Sequence, residues 1–476
     1  MSPVLSSLWW LRYSTLILAA AGFLPGSHAA AGPARSEDGF DPSRRYELGE
    51  LVGLALGNNP STRAAWFQAR AASASIGEAK ASYYPKLLAR FDGGSDQWYT
   101  PAANGPDNFR RVQATTTLAL EYLLLDFGRR DADVQRTVAA FDAAGFAFER
   151  KLQETVFAVQ RHFFSHEAAV WRQKAAGIGL QAARTLAETV EKEVKNGLSA
   201  TPELLRARKR VLEAGYEVEA AESAVRIALG DLCVAAGLPA NAPLQVRQSD
   251  VPPLTKQLRG EVDRLIACSL KIRPDLAARA AEVRASEAAT KRAGADFYPV
   301  VRLEGSYAYS QFGYGARDGK MDGTYQEGLN GYGAFLVGSW DLFDGFERVS
   351  RLTRRREEEK AAREKFNADR LAATRDVWSA YSENLSAARR VEYAEGFVAS
   401  ANESFEAISA ALKSGLADIN EFAEAESMAS LARAELASAV AGYSTTLSAL
   451  ALAVGSFQPS PEPAAAMRKP ASQRAR

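Results

Sequence analysis

The sequence predicts a mainly α fold with a small β part, built from one unit written twice. Three observations carry this: a self-match at a very long period, paired alternating segments in each copy, and long glycine-poor heptad runs. Lys plus Arg number 58 and Asp plus Glu 57 in 476 residues, so the net charge of +1 supplies no basic field for nucleic acid. Hydrophobic residues at 47% and charged residues at 24% exclude both a disordered chain and a polytopic helical membrane protein.

Residues 1–31 read as a secretory signal. Arg12 precedes an apolar run from Tyr13 to Leu24, and small residues follow Pro25-Gly26, with cleavage expected after Ala29 or Ala31. The apolar run covers only about 18 Å of helix, short of a hydrocarbon core of about 30 Å. No cysteine follows it, so no lipid attachment is expected there. A mature chain without an 18-residue apolar stretch enters a bilayer only as a closed barrel.

The duplication is exact in register over long distances. Asn59-Pro60 matches Arg273-Pro274 and Tyr84-Pro85 matches Tyr298-Pro299, both at an offset of 214 (274 − 60; 299 − 85). Leu125-Asp126 matches Phe343-Asp344, and the pattern Lys-x-Gly-Leu at 195–198 matches 413–416, both at an offset of 218 (344 − 126; 413 − 195). This defines a first repeat over 46–237, an equatorial linker over 238–260 and a second repeat over 261–456. A Pro-, Ala- and Arg-rich tail over 457–476 reads as disordered.

Each copy has the same grammar. A helical stretch (Tyr46 to Tyr83; Val262 to Phe297) ends at Tyr-Pro, where proline removes a donor and biases the residue before it to extended geometry. Strands are expected next, at Lys86 to Asp92 and from Val301, because Leu87, Ala89 and Phe91 oppose Lys86, Arg90 and Asp92 with period two. Turn-rich loops follow over 93–108 and 311–330, the Gly313 to Gly315 stretch among them, and return strands run from Val112 to Leu125 and from Tyr332 to Trp340.

Beyond Asp126 and Asp344 the pattern changes to helix. Leu152, Val156, Val159, Phe163 and Val170 form a heptad seam, as do Val377, Tyr381, Ala388 and Val391. A helix from Gly128 to Lys195 would run about 100 Å. Gly197 and Gly415 break these runs, with Thr201 as the expected cap and Pro202 in the first turn of the return leg, so each copy doubles back as a helical hairpin.

Two strands per copy give four per chain, whereas bacterial barrels need at least eight and must close. Either several copies share one barrel with helices projecting from its end, or the strands form an edge ribbon in a soluble helical protein.

The ordered set of Tyr-Pro strand entries, Trp340-Asp341-Leu342-Phe343-Asp344-Gly345, the Gly-Leu turns and the helix endings Ala236-Gly237 and Val454-Gly455 resembles the TolC family of outer-membrane efflux proteins, over about residues 46–456. The resemblance implies a homotrimer in the outer membrane, with a transmembrane β-barrel of twelve strands shared by three chains and a coiled-coil helical tube in the periplasm. It further implies an exit duct of a tripartite efflux pump or type I secretion system. The partners would be a periplasmic adaptor, a proton- or ATP-driven inner-membrane transporter and outer-membrane lipid, with no cofactor and no bond chemistry. The competing reading is a non-conducting coiled-coil structural protein of the envelope.

Carried onto this sequence, the resemblance makes Glu421 and Glu424 the pore constriction and Glu203, the repeat equivalent of Glu421, a tip contact. Threefold symmetry would turn each into a carboxylate ring that attracts cations and raises its members' pKa values. The alternative is that these are solvated or capping acids at helix starts. The turns Gly197-Leu198 and Gly415-Leu416 are implied adaptor contacts, although glycine also ends helices generally. Ala417 stands where the family often has a basic residue, so a tip lock relying on that cation must be built differently here.

Other motifs carry less. His162 and His166 share a helical face, but His166 lies on the seam opposite its counterpart Asn384 in the second copy, which reads as a register device rather than a metal clamp. Cys233 and Cys268 could pair after export into an oxidising compartment, but their repeat counterparts Ala451 and Leu54 lie at different levels of the architecture, so two buried free thiols are expected over a disulfide. The run Arg354 to Glu359 reads as a solvated face with i,i+3 pairs. No phosphate loop, nucleophile elbow or zinc-protease helix is present, which argues against an enzyme.

Overall fold

The computed structural model describes residues 40–100, 107–247, 262–315, 325–414 and 416–456. The expected signal over 1–31, the tail over 457–476, most of the linker and Gly415 lie outside the described residues. In chain order the elements are β1 (Arg45–Tyr46), α1 (Leu48–Asn58), α2 (Pro60–Ala81), β2 (Lys86–Thr100), β3 (Asp107–Leu125), α3 (Arg129–Lys195) and α4 (Thr201–Ala235). The second copy follows with β4 (Gln245–Val246), α5 (Val262–Ile272), α6 (Pro274–Ala295), β5 (Val300–Gly315), β6 (Tyr325–Ser339), α7 (Glu347–Lys413) and α8 (Ile419–Val454).

The single helix expected over 46–83 is two helices, and so is its counterpart. Pro60 and Pro274 cannot donate to the preceding turn, so each starts a new helix at its first position. Asn59 caps α2 by accepting from the Ser61 amide at 2.9 Å. The strands are longer than the alternation predicts: the polar, glycine-rich stretches read as loops continue the ladder, with Gly93 paired to Ala114 and Gly313 to Val112. Pairing in an antiparallel ladder satisfies the backbone whatever the side chains are, which is why composition misplaced the strand ends.

The main sheet has the order β2-β3-β5-β6, all antiparallel, with β2 and β6 as open edges. Cross-strand partners share a face, and the two faces differ sharply. One carries Leu87 opposite Leu120, and Leu118 opposite Tyr307, which is opposite Tyr332; the other carries Lys86 opposite Glu121, which is opposite Glu304. Leu87 and Tyr332 are 67% and 89% exposed, so the apolar face has no protein layer over it.

α3 and α7 each have 67 residues and run about 100 Å. Near the sheet α2, α3, α6 and α7 pack side by side; farther away the order is α4, α3, α8 and α7. The seam expected in α3 is buried at Leu152, Val159 and Phe163 and half-buried at Val156 and Val170, while in α7 Val377, Tyr381 and Val391 are buried. The Arg354–Glu359 run pairs Arg355 with Glu358 at 2.8 Å and Arg354 with Glu358 at 3.7 Å on an exposed face.

α4 ends against the start of α2, and α8 ends against the start of α6, so the shorter helices stack end to end. Gly237 and Gly455, at φ +79° and +84°, terminate α4 and α8. A Cβ on Gly237 would lie 2.9 Å from the Asn58 carbonyl carbon, so only glycine lets the two ends meet. The linker begins at this level, where Gln245-Val246 pairs in parallel with Arg45-Tyr46 beside a core of Leu51, Val159, Phe163 and Leu232.

Candidate functional site: the tip of the helical rod

The rod end opposite the sheet is formed by the α3–α4 and α7–α8 turns. At the first, Gly197 takes φ +71°, its amide donates to the Val194 carbonyl at 3.1 Å, and the Leu198 amide donates to the Glu193 carbonyl at 2.8 Å. This closes the last turn of α3. At the second turn the Leu416 amide donates to the Ala411 carbonyl at 2.8 Å, the same bond in the other copy. Leu198 and Leu416 are 79% and 83% exposed, so neither covers its own helix end; both project from the tip.

Ala200, not Thr201, is the N-cap of α4, and no side chain caps that helix. Thr201 and Pro202 are already helical, because proline at the second position needs no amide partner. Glu203 is exposed and accepts from the Ser199 hydroxyl. The second hairpin is better capped. Asp418 accepts from the Glu421 amide at 2.8 Å while Glu421 Oε2 accepts from the Asp418 amide at 3.2 Å. The Glu421 amide holds the Asp418 carboxyl below its ordinary range. Glu421 therefore serves as a cap, whereas Glu424, one turn on, is exposed and holds no capping bond.

Sequence reasoning missed the stacked joints. Arg273 is 5% exposed; it donates to the Ala453 carbonyl at 3.2 Å and to Asp275 and Asp376 at 2.6 and 3.4 Å. Arg150 and Gln153 donate to the carbonyls of Leu452 and Gly455 at 3.2 and 3.3 Å. Burial pushes the Asp275 carboxyl up, but the Arg273 hydrogen bonds and charge outweigh this and hold it below the ordinary range. The repeated Asn59-Pro60 and Arg273-Pro274 anchors were the available signal.

The other motifs fall away from the tip. Asn384 is buried and donates to the Thr446 hydroxyl at 3.1 Å, as a register device does. His166 Nδ1 is buried without a protein partner, and burial lowers the pKa of the ring. Cys233 and Cys268 are both free, but only Cys233 is buried; the expectation of two buried thiols fails because α5 leaves Cys268 on its outer side.

A sheet with two open edges, an uncovered apolar face and a polar reverse is one segment of a membrane barrel wall, here joined to a rod. The class is a protomer of an oligomeric membrane duct. The family of outer membrane efflux proteins matches residues 51–238 and 265–456, and the chain belongs to it. It is a transport protein of the outer membrane with its helical part in the periplasm. Protein CyaE of Bordetella pertussis is 27% identical over 370 residues, covering 77% of this chain and 75% of that protein. Among solved structures, a membrane protein from Pseudomonas aeruginosa superposes with a TM-score of 0.71 at 21% identity, covering 86% and 93% of the two chains. The Campylobacter jejuni CmeC outer membrane channel gives 0.72 at 15% identity, covering 88% of each chain.

Proposed function

We propose that three copies of this chain close into a twelve-stranded barrel and a helical tube, forming the exit duct of a tripartite efflux pump or a type I secretion system. The observation that carries this is the four-stranded sheet with open antiparallel edges β2 and β6. β6 of one copy runs opposite to β2 of the next, so the ring closes with every neighbour antiparallel. The adaptor meets the tip at Gly197-Leu198 and Gly415-Leu416, where the exposed leucines offer apolar knobs. Glu424 supplies the constriction ring; Glu421 sits beside it with its carboxylate engaged in a cap, and Glu203 makes the tip contact of the first hairpin. The chain carries out no bond chemistry, and the transporter selects the cargo.

The test is single-channel recording on the purified trimer in planar bilayers, with Glu424→Ala alongside. A cation-selective current whose selectivity falls in the variant supports the reading. A folded trimer that passes no current, even with Glu421 and Glu424 replaced by Ala, supports a structural envelope role instead. Crosslinking in cells identifies the adaptor and transporter, and so separates pump from secretion system.

A further inference from the structure

One cleft in the rod holds more cation than its own acids neutralise. It has a volume of about 590 Å³, lies near the sheet and is lined by α2, α3, α6 and α7 together. Arg136, Arg292, Arg351 and Arg355 line it against Glu78 and Asp133. Four helices packed side by side at about 8–10 Å span about 30 Å, so one cleft of this size touches all four only where their layer curves around it. In a closed ring the concave face is the lumen.

Three carboxylates near the cleft are each shared by two arginines. Asp133 takes Arg292 at 2.7 Å and Arg136 at 3.5 Å. Asp296 takes Arg351 at 2.9 Å and Arg129 at 3.1 Å, and Glu358 takes Arg355 at 2.8 Å and Arg354 at 3.7 Å. Arg292 engages its acid only through Nε and Arg355 only through one amino group. The four lining arginine side chains remain 35–45% exposed, so their open donors are within reach of a ligand. The hydroxyls of Ser75, Ser82 and Thr137 donate to backbone carbonyls of α2 and α3, which leaves the arginines as the open donors. A guanidinium fork of this kind matches a carboxylate or a phosphate bidentately. Ala79, Ala289 and Ala293 complete the lining with short apolar side chains.

A second cleft, between α3, α6 and α7, is the contrast: its four cations, Arg273 among them, meet five acids and leave no excess. The excess in the first cleft comes from the second copy. Glu78, Asp133 and Thr137 stand where that copy has Arg292, Arg351 and Arg355, at the offsets of 214 and 218 (292 − 78; 351 − 133; 355 − 137).

We infer that this cleft binds an organic anion, its carboxylate or phosphate held by Arg136, Arg292 and Arg355 and its apolar body resting on the alanines. The site is complete in one chain; that it faces the lumen, and so holds anionic cargo near the barrel, rests on the trimeric duct proposed above. Arg355 lies 58 residues before the end of α7 (413 − 355), about 90 Å from the tip, so at a Debye length of about 10 Å the acidic ring there does not act on an anion in the cleft.

The probe is phenyl phosphate, with inorganic phosphate as the head alone and phenol as the body alone. Each is dialysed to equilibrium against the purified trimer at low salt, with neutral detergent matched on both sides. One phenyl phosphate per chain is expected, bound more tightly than either part. Arg136→Gln with Arg355→Gln should weaken it by about tenfold or more, the effect of losing a hydrogen bond to a charged group. Both side chains pair only within their own helical turns, so the fold withstands the change. Glu78→Gln removes a lining acid that has no ion pair among the described residues, and should tighten binding about twofold. In planar bilayers, phenyl phosphate on the barrel side should lower the wild-type current and leave that of the double variant unchanged.

Binding without any current upholds the site and overturns the duct, whereas conducting trimers that do not bind phenyl phosphate overturn the site and leave the duct standing. Equal affinity for inorganic phosphate overturns the organic ligand, and equal affinity for phenol overturns the anion. Binding that the double variant retains, or that Glu78→Gln weakens, overturns the arginine cleft. A wild-type current that bound phenyl phosphate leaves unchanged overturns its lumenal position.

Discussion

Arg273 donates to the carbonyl of Ala453 at 3.2 Å, and at the same joint of the first copy Asn59 donates to the carbonyl of Ala235 at 3.2 Å. One position of the duplicated unit thus ties the end of each return helix to the start of the next rod segment, once with an amide and once with a cation. The cation brought Asp275 and Asp376 with it. Arg273→Ala takes this donor from the Ala453 carbonyl and leaves Asp275 only the Leu276 amide and Asp376 only Arg375, and is expected to cost about 3 kcal/mol, the low end for a buried pair because the acids are partly solvated and keep these partners. Arg273→Asn, copying the first joint, should cost less. Denaturant midpoints at fixed protein concentration read the difference; equal losses for the two variants would sink the account.

Gly197 and Gly237 both have positive φ, but only Gly237 faces the backbone of another helix. Gly197→Ala is expected to cost about 1 kcal/mol, the strain of a left-handed residue. Gly237→Ala adds a clash that separates α4 from α2, so its loss should be at least twice as large. Similar thermal shifts for both would show that the stacked joint carries no weight.

Asp418→Ala removes the cap of α8 and is expected to cost that helix about 1 kcal/mol. Amide exchange in its first turn should quicken while the middle of α8 is unchanged. Asp418 is held below its ordinary pKa in the folded chain, so its contribution is complete above the unfolded value and fades as pH falls through the folded one. Exchange at this turn should therefore quicken in wild type only at acid pH, and be insensitive to pH in the variant once intrinsic rates are corrected for.

His166 titrates in the opposite chemical sense with the same direction of loss. Burial lowers its folded pKa, so the unfolded chain binds the proton first and stability falls as pH drops below about 6.5. His166→Asn, taking the residue of the second copy, should flatten stability between about pH 6.5 and 5. A midpoint that still falls equally over that range would place the effect elsewhere.

Leu118 lies on the uncovered face of the sheet opposite Tyr307. Leu118→Arg at a lipid-facing position is expected to cost about 2–4 kcal/mol if it falls at mid-membrane. Thr117→Arg, on the polar face, should cost little in comparison. The pair is read by heat stability of the trimer in detergent, and an inverted order would exchange the two faces.

The sequence was legible wherever structure is set by neighbours along the chain. The 214- and 218-residue offsets gave the two copies, period-two alternation gave the faces of β2 and β5, and Gly197 marked the end of α3 at Lys195. The strand ends were not legible, because Gly93 and Gly313 look like turn residues and only their partners Ala114 and Val112 show otherwise. At the tip, Glu421 and Glu424 were singled out by the family resemblance and Glu203 by the repeat offset. That Glu421 is committed to a cap with Asp418 could not be separated from a pore role before the backbone of that turn was known.

By itself the sequence determined the repeat, the rod length and the alternation of faces, since these follow from propensity, helix stops and side-chain periodicity within short windows. The tertiary structure decided that β3 pairs with β5 across the two copies, that α4 and α8 stack on α2 and α6, and that α4 and α7 are left as free edges. Those relationships join residues more than a hundred positions apart. They depend on which surfaces can be covered at once, a condition that no local stretch of chain expresses.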